Sequence, residues 1–404
     1  MLEAAPEAAR RFLVARQLLA PPRSAAGVLE VVRRLGSLQF DPIDVAGRSH
    51  DLVLHARVAG YEPAWTDDLY ARRELYEVYN KGLSFVETSE SPWFRHTLSR
   101  RPGRVLAEHP DLAERVLERI RAEGPLSSAG FEVDRSATDD WFGTPTNAVR
   151  AVLEALTVTG VLGLARRQEN RRYYDLAERL LPREVLAQEV PPVEQLRHRM
   201  LSRHRAHGLL STSSGSDVYT GLGAAKPDER WPESPGRRAL HASLVDAGEL
   251  VPVRVADVRG TRFVIAEEAP LLAAPPEPPA AVSFLSPFDP LVWDRRLVGE
   301  LFAFEYVWEL FVPPERRRWG WYVLPVLFGD RLVGRIEPRI VRAEARVQVL
   351  GAWWENGFDP RREPGFVEAM TDALAAYLRF AGAERLDWAP HLRTERRLYM
   401  PIAW

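Results

Sequence analysis

Apolar residues recur at helical spacing early in the chain. Val28, Val31, Val32, Leu35 and Leu38 share one face, and this spacing predicts a helix over 24–38. Ser24 is placed to cap it, and Gly36 loosens its last turn. A preceding helix over 1–20 is ended by Pro21-Pro22. The periodicity then breaks at Gln39-Phe40-Asp41, and Pro42 biases Asp41 out of the α region. If the tripeptide is extended, Gln39 and Asp41 point to one side and Phe40 to the other. Val45–Arg57 reads as helix again, Tyr61–Arg73 carries Pro63, Trp65 and Leu69, and Glu74–Val86 has strand character around Tyr76, Val78 and Phe85.

Further along, one pattern occurs twice. In 111–190, Asp111–Glu123 is a helix stopped by Gly124-Pro125, and Ser127-Ser128 caps a short element. Thr146 caps a helix that Gly160 ends. Two strands follow, Val161–Ala165 and Arg172–Leu176, joined through Gln168-Glu169-Asn170. In 191–272, helices over Val193–His207, Ser211–Tyr219 and Arg237–Ala247 precede a hairpin, Leu250–Val255 with Arg262–Ala266, turning at Arg259-Gly260. Leu156…Gly160-Val161-Leu162 matches Leu244…Gly248-Glu249-Leu250, so two units of one design stand in tandem. The order helix, helix, helix, hairpin is that of a winged helix. Ala224–Pro235 reads as a mobile loop.

The domains expected are therefore an N-terminal winged-helix-like domain over 1–110, winged helices over 111–190 and 191–272, a polyproline-like linker over 273–281, and a final domain over 282–404. In the last, Tyr322–Phe328 and Arg331–Glu337 form a hairpin around Gly329-Asp330, Arg346–Trp353 is a third strand, and Phe366–Phe380 is an amphipathic helix. The fold class expected is mostly α with small β wings, an α+β chain ending in a β-rich, barrel-like α+β domain.

Composition narrows the function. At 404 residues the chain exceeds one ordinary core, and 46% hydrophobic with 27% charged residues is a globular balance. No apolar run reaches the roughly 18 residues of a membrane span, and the N-terminus mixes acidic and basic residues as no signal peptide does. A cytoplasmic protein is expected, with no membrane partner. The absence of cysteine removes disulfides, thiolate catalysis and Cys-ligated metals. With a net charge of −2, any nucleic-acid surface must gather its positive charge on one face. Local clusters exist at Arg166-Arg167 with Arg171-Arg172, at Arg197 through Arg205, and at Arg316–Arg318; each alone also reads as solvated surface.

Taken alone, Gln39 and Asp41 read as an amide and a carboxylate closing a helix end, although such a pair can also orient a water. Their context is more specific. Gln39-Phe40-Asp41, Val45-Ala46-Gly47-Arg48-Ser49-His50 and Leu52-Val53-Leu54-His55-Ala56-Arg57 resemble the winged-helix DNA glycosylases of the YcaQ/AlkZ-like kind. The likeness continues through Ser286–Arg295 (SPFDPLVWDR) and Gly329–Arg335 (GDRLVGR). The resemblance implies excision of alkylated bases and unhooking of interstrand crosslinks. It sets Gln39 and Asp41 in the two catalytic slots of a Gln-x-Asp signature. Crosslink-unhooking members carry a Trp-Ala-His-type segment; here the matching stretch is Val78-Tyr79-Asn80-Lys81-Gly82, without the histidine.

On this reading the chain is a monofunctional glycosylase acting on N7- or N3-alkylated purines. Its partner is double-stranded DNA carrying alkylated bases or crosslinks, and it is nucleoid-associated when bound there. It needs no cofactor and no metal, and works as a monomer. The DNA-binding residues expected are Arg48, Ser49, His50 and Lys81, with Arg166, Arg167, Arg171 and Arg172 on the wing. His50 also reads as a surface or capping histidine, and Lys81 either as a solvent-facing lysine or as a Schiff-base lyase group. His198, His204 and His207 share a helix, but no HExxH or paired carboxylate accompanies them. The rival reading is a non-catalytic winged-helix DNA-binding protein such as a transcription regulator. Against it, no heptad run offers a dimer element.

Overall fold

The computed structural model describes residues 1–19, 27–95, 100–131, 137–140, 143–168, 171–215, 217–224, 226–227 and 234–399. The Ser24 cap, Pro21-Pro22, the Glu169-Asn170 turn and most of the Ala224–Pro235 loop lie outside these. The chain is α+β, with short helices and several small sheets. It divides into two compact units. One comprises 1–66, 203–218 and 247–404, and the other 67–202 and 219–246. The stretches 1–110 and 191–272 are thus each shared between units.

The first unit begins with a strand that the sequence pattern does not announce. Leu2–Ala4 runs parallel to Leu250–Val255, with Leu2 opposite Val253. The helix follows only at Pro6–Arg16. Proline disfavours helix in the residue before it and suits the first helical position, so the helix starts at Pro6. Phe12 and Leu13 of this helix pack with Val253, Val264, Leu297 and Leu301 in the unit's core. The helix Gly27–Leu35 buries Val28, Val31, Val32 and Leu35 as its spacing predicts, and Gly36 follows it at φ +73°.

The C-terminal part of this unit is a five-stranded sheet in the order Val282–Phe284, Leu324–Phe328, Arg331–Val341, Arg346–Trp354, Arg385–Trp388. The expected hairpin is present, with Phe328 opposite Arg331 across Gly329-Asp330. The strand order is linear, with Val282–Phe284 and Arg385–Trp388 as edges, so the sheet is open where a barrel was expected. The helix Phe366–Ala381 buries Phe366, Met370, Leu374 and Tyr377. The Phe366 ring meets Phe328 and Trp354 edge-on at 5.2 and 5.3 Å.

The SPFDPLVWDR block is a brace. Asp289, fully buried, receives both arms of the buried Arg57 guanidinium at 2.7 and 2.9 Å. Arg57 also donates to the carbonyls of Gln17 and Val53. Asp294 caps the helix Arg295–Phe302, pairs with Arg262 at 2.6 Å and accepts the Ser214 hydroxyl. Charges buried this deeply persist only because each is matched.

In the second unit, the helices Pro110–Glu123 and Ala148–Val158 pack on the antiparallel hairpin Leu162–Gln168 and Arg171–Leu176 through Val116, Ile120, Val152, Leu156 and Leu164. Asn147 caps the second helix by accepting the Arg150 N–H at 3.0 Å. Thr146, the expected cap, lies in the strand Pro145–Asn147. A second hairpin pairs Leu75–Asn80 with Gly82–Glu87.

Two expectations are corrected. Of the expected helix Ser211–Tyr219, residues 211–215 and 217–219 are turn-like rather than helical, because Ser211 and Ser214 accept local backbone N–H groups with their hydroxyls, as serines in turns do. The Arg197–Arg205 cluster is not a surface patch either. Arg199 and Arg203 are fully buried and donate to backbone carbonyls, including those of Gln195 and Val218.

Candidate active site

Gln39 ends the short strand Leu38–Gln39 at the exit of the Gly27–Leu35 helix. Both Gln39 and Asp41 are half-buried. The Gln39 Oε1 is fully buried and has no hydrogen-bond partner among the described residues. Asp41 Oδ1 accepts the Ile43 N–H at 2.9 Å, an Asx turn around Pro42. Burial raises the Asp41 carboxyl above its usual range, opposed by the Ile43 N–H. Between them Phe40 stacks on His50, with ring centroids 5.5 Å apart.

The turn after Asp41 is pinned by residues from the far end of the chain. Ile340 N–H donates to the Val45 carbonyl at 2.8 Å, and the Tyr377 hydroxyl to the Ala46 carbonyl at 2.5 Å. Arg342 Nη2 reaches both Asp44 carboxylate oxygens at 2.9 Å. Gly47 has φ +111°, and a Cβ there would lie 2.8 Å from the Phe380 ring. Only glycine satisfies both its backbone angle and its neighbour.

The helix Ser49–His55 begins directly behind this turn and is buried along its whole length. Ser49 Oγ lies 3.0 Å from Ser286 Oγ. His50 is 1% exposed, with Nε2 3.5 Å from Asp51 Oδ1. The DNA-contact roles expected of Ser49 and His50 are therefore corrected to packing roles. A polar Ser-His-Asp run reads as solvated in sequence, but here each member has an internal mate. Arg48 is bound to Asp51 and donates to the Pro63 carbonyl at 3.4 Å, with its side chain 28% exposed. Asp51 also accepts the Tyr61 hydroxyl at 2.5 Å, and Tyr61 Oη lies 2.6 Å from Thr66 Oγ1. Burial raises Asp51, with the Arg48 charge opposing.

One residue of this neighbourhood escapes sequence reading. Tyr322 is fully buried, and its hydroxyl has no hydrogen-bond partner among the described residues. Burial pushes its phenol well up, and the Asp41 charge is the largest electrostatic addition. Its only sequence signal is the aromatic run Trp319-Gly320-Trp321-Tyr322. The backbone there is anchored by Glu337, whose Oε1 accepts the Trp321 N–H at 2.7 Å.

The remaining expected residues belong to the second unit. Lys81 sits at the turn of the hairpin between Asn80 and Gly82. On the wing hairpin, Arg166 is exposed with its guanidinium 4.4 Å from the Tyr173 ring centre, and Arg171 is exposed. The other two are engaged internally. Arg167 forms a bidentate pair with the buried Glu77 at 2.9 and 2.6 Å, and Arg172 binds Glu154 at 2.7 Å. The wing thus presents two outward arginines where four were expected.

Of the three helix histidines, His198 lies 2.8 Å from Glu90 and stacks on Trp93, and His207 is fully buried. Among the described residues, no three His, Asp or Glu side chains are grouped to hold a metal ion, and no helix is long and apolar enough to cross a membrane.

Comparison with known proteins gives the geometry a family. In structure, the DNA glycosylase AlkZ of Streptomyces sahachiroi is similar over 96% of this chain and 100% of its own, at 20% identity and TM-score 0.58, which shows a shared fold. The family model described as DNA glycosylase AlkZ-like matches residues 32–380, a span running from just before Gln39 to the Phe380 that packs on Gly47. With most of its length so matched, the chain belongs to the AlkZ-like DNA glycosylase family.

Proposed function

We propose that this protein is a monofunctional, hydrolytic DNA glycosylase that releases N7- or N3-alkylated purines, with Asp41 and Gln39 as its catalytic pair. An alkylated purine already carries positive charge and leaves readily. The enzyme must stabilise the oxocarbenium character left on the sugar and supply a water to its open face. Asp41 does the first electrostatically and accepts the water's proton. Gln39 holds and orients that water through its amide oxygen. The observation that carries the reading is this oxygen: buried, with no hydrogen-bond partner among the described residues, and two positions from a carboxylate with a single backbone hydrogen bond.

Under the same proposal, 111–190 and 191–272 supply tandem winged-helix elements to a DNA duplex, Arg166 and Arg171 contact phosphate, and Arg48 and Lys81 are further DNA contacts. No cofactor takes part, and the enzyme acts as a monomer. Crosslinked duplexes are a second substrate to be tried, since the Val78–Gly82 stretch lacks the histidine of crosslink-unhooking relatives.

The test is base release from duplexes carrying N7-methylguanine, N3-methyladenine or an N7 crosslink, comparing the wild type with Asp41→Asn. Release that drops sharply in the variant while duplex affinity holds supports the proposal. Tight duplex binding without base release by the wild type would instead favour a non-catalytic DNA-binding protein. Borohydride trapping of a covalent DNA adduct, lost in Lys81→Ala, would overturn the monofunctional assignment.

A further inference from the structure

We propose that the second unit holds a small-molecule site of its own, which takes a flat aromatic acid. The site is a pocket partly open to solvent, lined mostly by apolar groups with a few polar ones among them, as ligand sites are. Every residue lining it lies within 76–181, so none comes from the stretch carrying Gln39 and Asp41, and the proposal stands independently of the glycosylase assignment.

Three features define the ligand. The walls are aromatic and aliphatic, with Tyr76, Tyr79, Phe94 and Tyr174 among them, which suits a planar ring. Ser91 supplies a hydroxyl that is fully buried and has no hydrogen-bond partner among the described residues, a group a ligand would satisfy. Charge is the third. Glu77 and Glu154 line the pocket but are matched by Arg167 and Arg172. Arg95 also lines it, and among the described residues no carboxylate pairs with its guanidinium, which donates only a long 3.5 Å bond to the Gln188 carbonyl. One unmatched guanidinium against an apolar wall calls for one anionic group on the ligand.

Two glycines keep these polar groups in place. At Gly163 an added Cβ would lie 1.9 Å from the Tyr76 hydroxyl oxygen, so the tyrosine rests on the strand only because that Cβ is missing. At Gly160, φ is +84° and a Cβ would lie 3.2 Å from Arg95 Nε, so the arginine lies along bare backbone. The Arg95 backbone is itself held, its carbonyl accepting the buried Arg199 Nη2 at 3.1 Å.

The experiment titrates the full chain with 1-naphthoate and, as an uncharged control, 1-naphthamide, read by calorimetry. Saturable naphthoate binding is expected, about tenfold tighter than the amide, the scale of one charge-assisted contact. Arg95→Gln should abolish that preference, Arg95→Lys should keep most of it, and Ser91→Ala should weaken both probes. Asp41→Asn should bind naphthoate as the wild type does, which separates this site from the glycosylase reading. Absence of saturable binding by the wild type overturns the proposal. So does a naphthoate preference that survives in a folded Arg95→Gln, or one that folded Arg95→Lys loses entirely.

Discussion

Burial at the turn holds the Asp41 carboxyl above its usual range, and this has a consequence for stability as well as for chemistry. A carboxyl raised in the folded state favours folding while protonated. That contribution is full below the unfolded pKa, near 3.8, and is lost as pH rises through the folded value. Ionising this poorly solvated carboxyl therefore costs the folded state stability. Asp41→Asn keeps the acceptor for the Ile43 N–H and sheds that cost. It should lower base excision by ~10²-fold or more, yet melt higher than the wild type at pH 7. The difference in melting temperature should shrink toward pH 4. Gln39→Ala should reduce excision by a smaller factor. If Asp41 must be ionised, the acid limb of the excision rate should lie above the ordinary carboxylate range in a pH–rate profile.

Among the elements, the Leu162–Gln168 and Arg171–Leu176 hairpin separates legible from hidden information. Its strands and its four arginines are plain in the sequence, because alternation and local turn residues are near-neighbour properties. Their partners are not, since Glu77 lies 90 residues from Arg167 and Glu154 lies 18 from Arg172. Neutralising Arg166 and Arg171 should weaken duplex binding and flatten its salt dependence by about one to two units of log–log slope. Arg167→Gln should do something different. It leaves the buried Glu77 without its cation and should cost about 3 kcal/mol in urea unfolding, with a smaller change in salt slope. The same contrast explains the Ser49–His55 helix. Its periodicity is readable, but a second buried face depends on Ser286 and Phe380, which no local pattern reveals. Gln39 and Asp41 were legible through the resemblance of several blocks at once; Tyr322 was not, because its relation to Asp41 is purely spatial.

For the molecule as a whole, acid sensitivity should trace in part to one buried histidine. Burial lowers His207 from 6.5 to about 4, and its Nδ1 accepts the Leu209 N–H at 3.3 Å. Between those pH values the unfolded chain binds a proton that the folded chain excludes. Stability from this group is full above pH 6.5 and falls as pH drops toward 4, by up to about 3 kcal/mol. His207→Gln, neutral at every pH, should flatten the melting-temperature profile across that window relative to the wild type. A profile of unchanged slope would assign the acid sensitivity to other groups.

The pins on the Asp44–Gly47 turn also set a clock. Ala46 waits for the hydroxyl of Tyr377, 331 residues later. At translation rates of roughly 5–20 residues per second, that interval lasts on the order of 15 to 70 s. Until residue 340 is made, the nascent chain holds Gln39 and Asp41 on a turn that has received none of its supports from Ile340, Arg342 and Tyr377. A chain halted at residue 281 would contain both proposed catalytic side chains and is expected to release no base. A glycosylase assembled in this way is expected to stay inert on the ribosome until the residues that pin this turn, Tyr377 among them, have been made.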